Sequence, residues 1–270
     1  MRINNNITAI NSHRQYTINN TNIAKNVEKL SSGYRVNRAA DDAAGLAISE
    51  KMRAQIRGLN MASKNSQDAI SLVQVAEGGM QTIQDILQRM RELSVQAASD
   101  TNVTLDRSAL DLELQQLIEE IDQIAKTSEF NEMKLLDGNF KNKVIQAGAN
   151  VGQTMSISIS AMSAVGLKVN SLKITTRPLA TAALAQITLS LNSVSMQRAT
   201  LGAYQNRLEY KIKNLDNAAE NLSAAESRIR DVDMAKMMTE FTKNNILFQA
   251  STAMLAQANA LPQGVLQLLG

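Results

Sequence analysis

Apolar residues recur through most of this chain in alternating steps of three and four. From Met52 the steps land on Gln55, Leu59, Ala62, Ser66, Ala69, Val73, Ala76, Met80, Ile83, Leu87, Met90, Ser94 and Ala97. This narrow seam of period 3.5 predicts a helix lying along other helices over its whole length. No proline interrupts Leu46 to Ala98, and at about 1.5 Å per residue such a helix would run roughly 80 Å. A second series, within Ala180 to Ile229, places Leu184, Ile187, Leu191, Val194, Leu201, Leu208, Ile212, Leu215, Ala219, Leu222 and Ile229 on the same steps, with Arg198, Gln205 and Glu226 as interruptions. At about 75 Å it matches the first, and the two seams are expected to face each other.

Between them the pattern changes twice. The polar run SDTNVT breaks the first helix, with Asn102 or Thr104 available as a cap. Leu110, Leu114, Leu117, Ile121 and Ile124 then predict a shorter helix folding back antiparallel. From Phe130 to Ile159 the period becomes two: Met155, Ile157 and Ile159 alternate with serines, and Asp137-Gly138, Gly148 and Gly152 mark turns. A small β-hairpin region capping the bundle is expected there. Residues 161 to 180, with Gly166 and Pro178, read as a connector.

Both ends look like helices that lack a partner. Ile3, Ile7 and Ile10 share one face, and so do Ile23, Val27 and Leu30, while eight asparagines lower intrinsic helix stability there. At the other end Met234, Met238, Phe241, Phe248 and Leu255 line one side, and no ionisable side chain occurs from Asn244 to Gly270. Pairing the ends hides one face of each, and the remaining apolar surface calls for other copies of the molecule. A membrane-bound amphipathic coiled coil is the competing reading of the tail, and its glutamines, asparagines and Pro262 argue against it.

Composition narrows the function. Aromatic residues make up 3% and tryptophan and cysteine are absent, which suits close-set helical bundles and excludes disulfides and thiolate metal sites. The net charge of +3, with acids and bases interspersed, makes nucleic acid a poor partner. One histidine, His13, and the absence of HExxH, Walker or GxGxxG strings disfavour an enzyme, and no cofactor or metal is expected. Asp41 and Asp42, just before the long helix, read as acids offsetting its macrodipole. The N-terminus has no apolar core of the kind a cleaved signal peptide needs.

The segments LSSGYRVNRAADDAAGLAISEKMRAQIRGL (Leu30 to Leu59), LQRMRELSVQAA (Leu87 to Ala98), ENLSAAESRIRDVDMA (Glu220 to Ala235) and EFTKNNILFQASTAMLAQAN (Glu240 to Asn259) closely resemble bacterial flagellin. The likeness covers nearly all of residues 1 to 160 and 185 to 270 and keeps the family's order. It implies a mainly α, elongated antiparallel long-helix bundle or coiled coil with a small β-hairpin region, in a short form without variable outer domains. The implied division is 1–44 (inner-tube helix and spoke), 45–180 (outer-tube helices, hairpin and connector), 181–230 (returning outer-tube helix) and 231–270 (inner-tube helix).

By that resemblance the chain is a filament subunit secreted unfolded through the flagellum's own type III apparatus, whose terminal helices fold on assembly. The implied partners are further copies of itself, an export chaperone at the C-terminal segment, hook-associated and cap proteins, and a host Toll-like receptor, with neither nucleic acid nor membrane. On the matching motif the receptor contacts are Arg89, Leu93 and Glu113, whereas without the family the two charged residues read as solvated helix charges. A hook-filament junction protein is the alternative. Three departures stand out. Glu132 replaces the glycine of the family's Phe-Asn-Gly pattern, removing the residue a turn after Asn131 favours; Met237 replaces a commonly acidic residue; and Gly270 stands where many relatives have arginine. The last two bear on the charge of an inner channel.

Overall fold

The structure, a computed structural model, describes residues 6–269, with side chains through residue 261. Ile3 therefore lies outside the described residues. The chain is mainly α, with helices α1 (Ile7–Ser32), α2 (Ala43–Ala98), α3 (Thr104–Thr127), α4 (Arg177–Arg230) and α5 (Met234–Leu269). Strands β1 (Glu129–Phe130) and β2 (Met133–Lys134) pair antiparallel, as do β3 (Lys143–Gln146) and β4 (Thr154–Ile157). The chain divides into a terminal unit, Met1–Ala54 with Asn221–Gly270, and a central unit, Gln55–Glu220.

In the central unit the predicted seams are the core. Every seam position of α2 from Ala62 to Ala97 is buried, while Met52 and Leu59 are half-buried and Gln55 is exposed. Ile187, Val194, Leu201 and Leu208 of α4, and Leu114 and Ile121 of α3, join the same cluster. The helices run antiparallel: Ser63 Oγ donates to Asp216 at 3.0 Å, and Arg198 reaches Gln84 at 2.8 Å and Glu77 at 3.5 Å. Arg198, expected as an interruption, thus bonds to α2. Pro178 sits in the first turn of α4, where its missing N–H costs nothing. The first part of α4 is long and apolar enough to cross a membrane by composition, but Ala180, Ala183, Ile187 and Val194 there belong to the buried cluster.

Two local expectations need correction. The N-cap of α3 is Val103, neither Asn102 nor Thr104; Val103 offers no acceptor, and the Asp106 carboxylate accepts from its N–H at 3.1 Å. The Asn131-Glu132 turn forms despite the missing glycine, with φ of 49° and 63°, so both residues are left-handed. Residues 161–176 connect the hairpin region to α4 as a packed rather than solvated segment, with Met162, Ala164, Leu167, Val169 and Ile174 buried. Asp122 and Asp111 of α3 each accept a backbone N–H from this segment, of Ala164 and Ile174, both at 2.7 Å. Gly79 of α2 is required by close approach, because a Cβ there would lie 2.9 Å from both Leu136 and Ser128.

In the terminal unit, Gly33 ends α1 with φ 73° and its N–H donates to the Lys29 carbonyl at 2.9 Å. The strand-like residue Tyr34 then pairs antiparallel with Asp231, Arg35 N–H donates to the Arg230 carbonyl at 2.7 Å, and Val232 N–H to that of Gly33 at 3.0 Å. Asp42 caps α2 by accepting from Gly45 N–H at 2.8 Å. Asp41 instead closes the preceding turn, accepting from Asn37 and Arg38 N–H at 3.2 and 3.0 Å; chiefly the Arg38 bond holds its carboxyl below the usual range.

Candidate functional site

Helices α1 and α5 pack antiparallel. Asn6 caps α1 and donates its side-chain amide to the Ala258 carbonyl at 2.7 Å; Asn19 donates to Ser251 Oγ at 2.7 Å and to the Leu247 carbonyl at 3.3 Å; the Tyr16 and Phe248 rings stand 4.9 Å apart. Buried and half-buried positions recur at Ala9, Ser12, Tyr16, Asn19, Ile23, Asn26 and Leu30 on α1, and at Met237, Phe241, Asn244, Phe248, Ser251, Leu255 and Ala258 on α5. Both follow three-four steps, so each helix presents a heptad seam.

The seam is not the one expected from the apolar residues. Ile23, Leu30, Phe241, Phe248 and Leu255 lie in it, but Ile7 (65% exposed), Ile10 (62%), Val27, Met234 and Met238 face solvent. Ile18, Ile246, Leu247, Met254 and Leu261 are exposed as well. The predicted faces therefore split in two, because asparagines, serine and alanines occupy places between the helices that larger aliphatics would have taken. The signal for these missed positions was the seven-residue spacing of Ser12, Asn19 and Asn26, and of Asn244, Ser251 and Ala258. Met237 is buried in the seam and packs between the two helices.

The aliphatics left outside are of the size whose burial contributes roughly 1.5–3 kcal/mol each. A soluble monomer does not ordinarily leave so many on one helix pair, and such a surface marks a protein interface.

In the central unit, Arg89 Nε donates to Glu113 at 2.9 Å and its Nη1 to Glu92 at 3.1 Å; Glu113 first and Glu92 second raise the guanidinium pKa. Arg89 and Glu113 are thus joined across α2 and α3 on the surface. Leu93 is 1% exposed and lies in the core, so it presents no surface to a receptor beside them. Among the described residues no group of three His, Asp or Glu could hold a metal.

Comparison with known proteins gives the family of the chain. The profile of the bacterial flagellin N-terminal helical region matches residues 3–141, and that of the C-terminal helical region matches 184–269. The chain belongs to the bacterial flagellin family. It is 57% identical to a flagellin of Halalkalibacterium halodurans over 271 residues and 53% identical to one of Bacillus subtilis over 303, with all of each chain covered. The crystal structure of Bacillus cereus flagellin matches at 33% identity with a TM-score of 0.52, covering 60% of this chain and 94% of that one. As a flagellin it is a structural subunit of the bacterial flagellar filament, a homopolymer, and not an enzyme; full-length identity to flagellins disfavours the junction-protein alternative. The two matched regions are separated by residues 142–183, and the Halalkalibacterium halodurans flagellin aligns in full over 271 residues.

Proposed function

We propose that this subunit is secreted unfolded through the flagellum's own type III apparatus and orders its terminal helices only as it joins the filament. In that reading residues 1–44 and 231–270 belong to the inner layer of the filament and residues 45–230 to its outer tube. The observation that carries it is the outward set Ile7, Ile10, Val27, Met234 and Met238, which one molecule leaves uncovered and neighbouring copies would bury. Ordering costs are then met only where neighbours supply burial, which keeps growth at the tip. An export chaperone covers the C-terminal segment before assembly, and hook-associated and cap proteins bound the polymer at its ends. Arg89 and Glu113 form the surface offered to a host Toll-like receptor, with Leu93 supporting it from beneath.

Removing the residues after Met234 tests the reading. The truncate is expected to keep a folded central unit and to form no filaments; filaments seen by electron microscopy would overturn it. In the free full-length monomer, proteases are expected to cut before Gly33 and after Ile229, and to lose access in the polymer.

A further inference from the structure

The α1–α5 seam alternates in chemistry. On α1 one heptad position holds Ser12, Asn19 and Asn26, and the other holds Ala9, Tyr16, Ile23 and Leu30. On α5 Asn244 and Ser251 alternate with Phe241, Phe248 and Leu255. Asn19 and Ser251 are buried and bonded to each other at 2.7 Å. Asn26 is 8% exposed, and its side-chain nitrogen has no hydrogen-bond partner.

A polar residue at a heptad core position specifies register at the expense of stability, and a buried donor left unpaired weakens the pair further. The exposed positions of α1 already carry asparagines, Asn20 and Asn22, so asparagine alone does not distinguish the seam; burial does. We infer that the Asn19–Ser251 pair sets the α1–α5 register, and that these two residues together with Asn26 keep the isolated helix pair too weak to order by itself. The Asn19–Ser251 bond fixes the register. The unpaired Asn26 amide lowers stability without contributing to it. Had the same positions held leucine, the monomer would order its ends before reaching the filament tip, and nucleation would no longer depend on an existing end. This inference rests on the folding-on-assembly reading and names the side chains that make it hold.

The test uses the full chain. Asn26→Leu removes no hydrogen bond and fills a buried seam position, and Asn20→Leu with Asn22→Leu adds more apolar surface than that, all of it outside the seam. Limited proteolysis of the free monomers reads the order of residues 7–32 and 234–261, and turbidity with and without short filament seeds reads nucleation. For Asn26→Leu, terminal cleavage is expected to slow about tenfold, and filaments are expected without seeds at concentrations where the unaltered protein needs them. The Asn20/Asn22 variant is expected to retain rapid cleavage and seed dependence. Asn19→Leu with Ser251→Ala serves as a second variant, expected to protect the ends while permitting off-register pairing, seen as filaments of altered helical repeat. Equal cleavage of Asn26→Leu and unaltered monomer, with the central unit intact in both, overturns the inference. Protected ends in the unaltered free monomer would instead overturn the reading on which it rests.

Discussion

Arg230 and Glu50, 180 residues apart in the chain, are joined in the terminal unit at 2.5 Å. The guanidinium also lies over the Tyr34 ring, 4.7 Å from its centroid, while the Arg230 carbonyl accepts from Arg35 N–H. One residue therefore ties the end of α4 to the start of α2 and to the turn after α1. Filaments of Tyr34→Leu are expected to melt earlier, by the equivalent of about 0.5–1 kcal/mol per subunit for the lost ring contact. Differential scanning calorimetry of filaments checks this.

Acid should loosen the same junction. The hydrogen bond from Arg230 chiefly holds the Glu50 carboxyl below its ordinary value of 4.5, and Asp41 is held below 3.8 by the Arg38 N–H. A carboxyl depressed on folding stabilises above its unfolded pKa and loses that contribution as pH falls through the folded one. Filament stability is expected to hold from neutral pH to about 5 and to decline below about 4. Glu50→Gln should flatten part of that decline, measured as subunit release against pH; an unchanged profile would remove Glu50 from the account.

The Asn131-Glu132 turn carries a correctable strain. Left-handed backbone costs an ordinary residue roughly 1–2 kcal/mol, against a smaller entropic cost for glycine. Glu132→Gly is expected to stabilise the central unit by about 0.5–1 kcal/mol, read from thermal unfolding by circular dichroism.

Asp122 holds residues 161–176 against α3. Asp122→Ala leaves the Ala164 N–H without its acceptor and is expected to destabilise the central unit by about 1–3 kcal/mol. Hydrogen exchange should rise at Ala164 first, and unchanged protection there would show that the bond contributes nothing.

Leu87→Ala opens a cavity in the seam of α2, where Leu87 is completely buried. A loss of about 2–5 kcal/mol is expected, seen as a lower denaturant midpoint of the central unit with no change in slope.

Much of the central unit was legible because its signal is long. Fourteen seam positions from Met52 to Ala97 average out any single exception, so one exposed glutamine at Gln55 does not disturb the helix. The hairpin at 143–157 was legible for a related reason: Met155 and Ile157 are buried and Thr154 and Ser156 exposed, as a period of two requires. The segment 161–176 was not, because its anchors are two aspartates far away in sequence whose role depends on being opposite two backbone N–H groups.

The terminal helices divide the same question. From residue order alone come the existence of α1 and α5, the uncharged stretch from Asn244 onward, the motifs of the family, and the surplus of apolar surface that one copy does not cover. Only the tertiary structure decided which face each helix turns inward, since Ile7 and Ile10 were as eligible for the seam as Asn19 and Ser251 until the two helices were brought side by side. The reason is that periodicity reports which residues share a stripe, while burial depends on what stands across from that stripe, and that is a property of two segments more than two hundred residues apart.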